Sequence, residues 1–322
     1  MKMLIIGGSG RISYKTACSF IEQGEEVTVI NRGNHDLPFL HRSLFVGDIN
    51  DEKTMRPFFK NHFFDVVIDF VAFTPSDIAL HLSYFENKPH YIFVSSTVAT
   101  NRRLTLPPYD ESTPLGNPDS QYGQNKALAE RYLNQSGYPF FTIVRPSQTF
   151  DERAFPVLIH GKGTYSIISR MKRGKAIPLF DGGRSKWALL YASDFAKGLK
   201  GILLNEKTNK ETYQITGSEN HTWKEIFLLE GEALGCSPLF FDLDSHKFIE
   251  NHPSFHDSLV GDKFISSTFK QDKINAISPS FERKTPLLDA FKITNEYISS
   301  HPEAQIVDPS FDAFLDSLMA SK

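Results

Sequence analysis

Tyr122 and Lys126 stand four residues apart in the segment SQYGQNKALAERYLNQSG, a spacing that sets both side chains on one face of a helix. A free phenol, with an ordinary pKa of about 10, is too weak a base near neutral pH. A lysine ammonium beside it favours the phenolate. The stretch FVSST adds hydroxyls at Ser95, Ser96 and Thr97, just after an apolar run. Ser, Tyr and Lys can thus converge on one small volume and move a proton on or off a substrate oxygen. The tyrosine–lysine spacing by itself is common by chance and carries little.

A second chemical feature opens the chain. GGSGRIS, residues 7–13, follows the apolar run Met3 to Ile6. Read as G-x-G-x-x-S it is Gly8, Gly10 and Ser13; read as G-x-x-G it is Gly7 and Gly10. Glycine permits a sharp turn and lets a pyrophosphate approach without a Cβ in the way. Such a cluster can also be only a tight turn. Its position between a strand and a helix favours a dinucleotide. The next strand ends VINRGN, with Asn31 and Arg32 where a carboxylate would bind the adenosine ribose of NAD. A guanidinium suits a 2′-phosphate, so NADP is expected slightly ahead of NAD. Arg32 can equally be a solvated loop residue that leaves either cofactor bound. Asp48, in VGDI, can accept from the adenine amino group or cap the following helix.

These residues need a scaffold, and the pattern supplies one. KMLIIG, EVTVIN, SLFVGD, FDVVIDFVAF, HYIFVSS and FFTIVRP read as strands. Between them RISYKTACSFIEQG, DEKTMRPFFKNH, PSDIALHLSYF and the Tyr122 segment read as helices, the first closed by Gly24. Such alternation with β-branched strands predicts an α/β fold: a doubly wound parallel sheet with helices on both faces. Its ligand crevice lies at the carboxyl ends of the strands, where GGSGRIS falls. After Pro146 the alternation breaks down; ASDFAKGLKGILLN, capped by Ser193 or Asp194, and the strand ETYQITG resume it. Residues 1–150 are therefore expected to form a dinucleotide-binding domain to which 187–217 return. Residues 151–322 are expected to form a smaller C-terminal substrate domain.

The 322 residues carry a formal charge of −3, which gives no general attraction for nucleic acid or an anionic membrane. No stretch approaches the roughly 20 apolar residues of a membrane span, so a cytoplasmic protein is expected. Cys18 and Cys236 make no disulfide framework and show no metal spacing, and no metal is assigned. Cys18, in an apolar stretch, reads as a core thiol. The 28 phenylalanines are the main large core filler. RMKRGK, residues 170–175, reads as the charged end of a helix.

The set in order resembles the extended short-chain dehydrogenase/reductases: the glycine turn, GD after the third strand, SS at the fifth, the Y-x-x-x-K helix and RP after the sixth. Within them the chain is similar to the NAD-dependent epimerase/dehydratase family, from residue 1 to about 300, including WALLYASDFAKGL, YQITGSENHTW and LVGDK. The resemblance implies that Tyr122 is the general acid/base and that Lys126 lowers its pKa and binds the nicotinamide ribose. It implies that Ser96, with Thr97 as the fallback, hydrogen-bonds the reacting oxygen. Arg145, Pro146 and Ser147 would close over the nicotinamide. The expected cofactor contacts are Gly7, Gly10, Arg11, Ile12, Asn31, Arg32, Asp48, Ile49, Val71, Ala72, Lys126 and Pro146. Family dehydratases carry an acidic pair directly after the serine/threonine position; Thr97 and Val98 stand here, so dehydration is not expected. Thr100 replaces a tyrosine usual in that loop. The implied function is an NAD(P)-dependent epimerase or reductase of a sugar or nucleotide-sugar, with Thr97, His160 and Arg184 as substrate contacts and a homodimer possible. The competing class is a non-catalytic dinucleotide-responsive regulator or an RNA-binding protein, which the acidic charge disfavours.

Overall fold

The structure is a computed structural model, and it describes residues 1–34 and 37–320. Seven parallel strands form its main sheet: β1 (Lys2–Ile6), β2 (Glu26–Asn31), β3 (Leu44–Val46), β4 (Val66–Asp69), β5 (His90–Val94), β6 (Phe141–Pro146) and β7 (Glu211–Ile215). Their spatial order is β7-β6-β5-β4-β1-β2-β3. Helices α1 (Arg11–Glu22), α2 (Glu52–Asn61), α3 (Pro75–Ser83) and α4 (Gln121–Gln135) make the connections. The order reverses at β1, so a crevice opens at the carboxyl ends of β1 and β4. This is the doubly wound α/β fold.

The apolar runs explain which strands are central. β5 and β6 are buried at every residue, and only the first residue of β1 is exposed. Strands covered by helices on both faces need such continuous apolar sequence. The edge strand β3 is three residues long and nowhere fully buried. Phenylalanines fill the layers between sheet and helices: Phe58, Phe59, Phe64, Phe85, Phe93 and Phe141 are all buried in one cluster.

Three readings of the sequence change. The run FDVVIDFVAF is a strand only over Val66–Asp69, because Asp69 Oδ1 takes the backbone N–H groups of Val71 and Ala72 and turns the chain. The helix Ala192–Lys200 begins before Ser193 and Asp194, so neither caps it; Asp194 instead binds Lys197 at 2.5 Å. Cys18 is only half-buried on α1.

The chain divides into two compact units. The first holds Met1–Thr149, Ala192–Thr216 and Phe269–Arg283; the second holds Phe150–Tyr191, Gly217–Thr268 and Lys284–Lys322. Residues 187–191, expected with the sheet, thus pack in the second unit. Phe269–Arg283, expected outside, returns to the first, where Lys270 N–H bonds the Tyr109 carbonyl and Gln271 bonds that of Thr216.

The second unit has its own aromatic core around Trp187, Trp223, Phe155, Phe227 and Phe291. A parallel strand pair joins Ile177–Phe180 to Phe240–Leu243. RMKRGK closes the helix Tyr165–Lys172, and its Arg170, fully buried, reaches Asp312 and Asp316 at 2.7 Å each. That charge run ties down the helix Pro309–Ala320.

Candidate active site

The glycine turn is built by packing as well as by conformation. Gly7 has φ +93°, and a Cβ there would lie 2.2 Å from a Val71 methyl; a Cβ on Gly8 would meet Val29 at the same distance. Gly10 is different, with only Ser13 Oγ, at 3.1 Å, near its missing Cβ. Ser13 donates its hydroxyl to the Gly7 carbonyl at 2.6 Å and so fastens the turn to the first turn of α1. That helix starts at Arg11 with no side-chain cap and no acidic residue in its first turn. An uncapped N-terminus behind an open glycine fits an anionic pyrophosphate.

Beside the turn is a cleft of 290 Å³ lined by Gly7, Asn31, Arg32, Asp48, Ile49 and Val71 from the expected set. Asn31 Oδ1 accepts from Gly33 N–H at 2.8 Å, while its buried Nδ2 makes no hydrogen bond and offers a donor at the cleft. Arg32 is exposed there. Asp48 does not cap the next helix, contrary to the alternative left open. Asp51 does so, accepting from Lys53 N–H, while Asp48 turns its own loop by accepting from Asn50 N–H at 2.9 Å. The cleft also includes Asn34, Asn50, Phe73 and Asp77, which no motif singles out. Gly10, Arg11, Ile12, Ala72, Lys126 and Pro146 are not among its lining residues.

The residues expected to do acid–base chemistry lie on α4 and on the loop after β5. Ser120 caps α4, accepting from Gly123 N–H at 3.0 Å. Gly123 is where α4 touches the loop after β5: a Cβ there would lie 2.4 Å from the Val98 carbonyl oxygen. Ser96 opens that loop, its Oγ accepting from Val98 N–H at 3.1 Å. Tyr122, next to Gly123, is 40% exposed, whereas Lys126, one turn on, is buried. Lys126 Nζ lies 6.0 Å from the Tyr122 ring centre and 4.6 Å from that of Phe73. Its ammonium donates to the carbonyls of Ala72, at 2.7 Å, and Val94, at 2.8 Å. Burial pulls its pKa down to about 8, against the fields of Asp69, Glu130 and Asp77. Thr97 is buried in the loop, and its carbonyl accepts the Thr100 hydroxyl at 2.7 Å.

Arg145 faces the interior. Its guanidinium pairs with Glu130 of α4, Nη2 to Oε2 at 2.7 Å and Nε to Oε1 at 2.9 Å, and Ser95 Oγ joins at 2.5 Å. Pro146, which ends β6, is buried. His160 and Arg184 are both exposed in the second unit, and His160 Nδ1 lies 2.9 Å from the Gly161 carbonyl. Among the described residues no cluster of His, Cys, Asp and Glu could hold a metal, and no helix is long and apolar enough to cross a membrane.

Comparison with known proteins agrees with this fold. The model of the NAD dependent epimerase/dehydratase family matches residues 3–216. The chloroplast stem-loop binding protein of 41 kDa b of Arabidopsis thaliana is 24% identical, over 91% of this chain and 79% of its own length. The UDP-glucose 4-epimerase of Halalkalibacterium halodurans is 30% identical, over 42% of this chain and 46% of its own. The chain thus spans about half the length of such epimerases in sequence. In three dimensions the UDP-glucose 4-epimerase of Thermotoga maritima, solved with UDP-glucose, superposes over 93% of this chain and 99% of its own (TM-score 0.75, 21% identity). That of Thermus thermophilus, solved with NAD, covers 94% of this chain and all of its own (TM-score 0.70, 18% identity). With its fold, glycine turn and family match in agreement, the chain belongs to the NAD dependent epimerase/dehydratase family of the extended short-chain dehydrogenase/reductases, a class of NAD-dependent epimerases and oxidoreductases.

Proposed function

We propose that the protein is an NAD(P)-dependent epimerase or reductase of a sugar or nucleotide-sugar, with Tyr122, Lys126 and Ser96 as its catalytic residues. The observation that carries this reading is the buried Lys126 ammonium 6.0 Å from the ring of the exposed Tyr122, beside a loop that begins at Ser96. The chemistry that a bound dinucleotide would supply is hydride exchange with the substrate carbon. The Tyr122 phenolate takes the proton of the substrate hydroxyl as the carbonyl forms, and gives it back on return. Lys126 stabilises the phenolate and reaches the nicotinamide ribose. Ser96 donates to the reacting oxygen. Gly7, Gly10, Arg11 and Ile12 hold the pyrophosphate, Asp48 and Ile49 the adenine, and Asn31 and Arg32 the adenosine ribose. Exposed in the cleft, Arg32 supports a modest preference for a 2′-phosphate. Thr97, His160 and Arg184 are the proposed substrate contacts, the latter two in the second unit, which is the proposed substrate domain. The UDP-sugar in the Thermotoga maritima structure supports that substrate class.

A second reading is an RNA-binding or dinucleotide-responsive regulator. It is favoured by the nearly whole-length match to a stem-loop binding protein. The net charge of −3 speaks against it. Incubation with oxidised cofactor and a panel of nucleotide-sugars, followed by reduced-nicotinamide absorbance and product NMR, tests the first. Turnover lost in Tyr122→Phe is the expected result. No turnover across the panel, with salt-sensitive binding of stem-loop RNA, supports the second.

A further inference from the structure

Behind the Lys126 ammonium lies a fully buried carboxylate to which no motif points. Asp69 ends β4, and its two oxygens make four hydrogen-bond contacts. Oδ1 takes the N–H groups of Val71 and Ala72, both at 2.9 Å. Oδ2 takes the Tyr91 hydroxyl and faces His81 Nδ1, each at 2.6 Å. The charge and hydrogen bond of His81, with the Tyr91 hydroxyl and the Val71 N–H, overcome burial and hold the carboxyl below its ordinary range, so the group is an anion. His81 and Tyr91 are as deeply buried as Asp69. The turn it fixes is the one whose Ala72 carbonyl binds Lys126 Nζ at 2.7 Å.

We propose that Asp69 is a positioning residue for Lys126: it holds the Val71–Ala72 turn that aims the ammonium, and it supplies negative charge behind it. The inference rests on the reading of Lys126 as part of the proton-transfer site. Without compensation, an ammonium at this depth would lose its proton. The charged groups facing it are Asp69, Glu130 and Asp77, with Tyr122 and the rings of Phe73 and Phe93 around it. His81, in turn, faces Asp69, Asp77 and Asp48, which raise its pKa against burial. A protonated His81 offsets part of the field that Asp69 exerts on Lys126.

The test follows the Lys126 side chain by NMR, in protein carrying ¹³C at lysine Cε, without cofactor or substrate. Lys126→Met assigns the signal. Asp69→Asn is expected to lower the Lys126 pKa by about one unit or more, the scale of a lost opposite charge nearby. Tyr91→Phe, which changes no charge, should leave it near the parent value. An unchanged Lys126 titration in folded Asp69→Asn, or in Asp69→Ser should the first variant not fold, overturns the proposal. Because nothing in this measurement needs turnover, its failure is distinct from that of the functional reading, which falls if Lys126→Met retains full activity.

Discussion

At the scale of single residues, Tyr122 and Lys126 of the proposed site differ in burial. Tyr122 is the exposed member, so a phenylalanine there keeps the ring packed against Phe73, whose ring centre is 6.2 Å away, and removes only the hydroxyl. Tyr122→Phe should bind cofactor as the parent does and lose about 10²–10⁴-fold in kcat, the range of general acid/base catalysis. Steady-state kinetics beside calorimetry of cofactor binding checks both halves. Arg32 lines the cleft from an exposed position, and Arg32→Ala should weaken NADP binding by about 1–3 kcal/mol while NAD binding hardly moves. Equal losses for both cofactors, measured by calorimetry, would make Arg32 a solvated loop residue. Sequence spacing could single out Tyr122 and Arg32 as candidates because a helix face and a strand end are local features of the chain. Asp69 was silent for the opposite reason: its partners His81 and Tyr91 lie 12 and 22 positions away and meet it only once the sheet forms.

At the scale of elements, α4 is held to the sheet by a buried ion pair as well as by apolar packing. Arg145 of β6 and Glu130 of α4 are both buried, and the carboxylate also accepts the Ser95 hydroxyl. Removing one partner leaves an uncompensated charge in the interior, which costs about 3–5 kcal/mol. Arg145→Met should therefore destabilise the first unit by that amount in urea unfolding, whereas the double change Arg145→Met with Glu130→Leu should recover much of it. Periodicity exposed strands and helices well because each buries a regular face. RP at the end of β6 suggested backbone contact with a cofactor, yet the guanidinium itself is spent on α4, a use that needs the three-dimensional neighbour to be seen. The return of Phe269–Arg283 to the first unit was hidden likewise, since short helical turns carry no periodic signature and are placed by contacts with Tyr109 and Thr216.

For the whole molecule, buried ionisable groups give the two units opposite responses to pH. In the first unit His90 Nδ1 accepts the Leu204 N–H at 3.1 Å and Nε2 meets the Thr142 hydroxyl at 2.9 Å, so only the neutral ring satisfies both. Burial lowers its pKa from 6.5 to about 4, so its contribution is complete above the unfolded value and disappears as pH falls through that interval. Asp69, held down to about 2 with the His81 charge and hydrogen bonds overcoming burial, adds a loss that begins below about 4. The second unit carries Glu230, fully buried on the helix Trp223–Leu234, with neither oxygen hydrogen-bonded. Burial raises its pKa well above 4.5, so its neutral form costs nothing extra below that value. Above it the unfolded chain gains charge that the folded unit refuses, and stability falls by about 1.4 kcal/mol per pH unit until the folded pKa is reached. Amide hydrogen exchange between pH 4 and 7, corrected for intrinsic rates, should then show protection falling with acid around β5 and β6 and rising with acid around Trp223–Leu234. Glu230→Met should remove the second trend and leave the first. If the Trp223–Leu234 amides keep the same pH response in that variant, Glu230 is not the group that sets it.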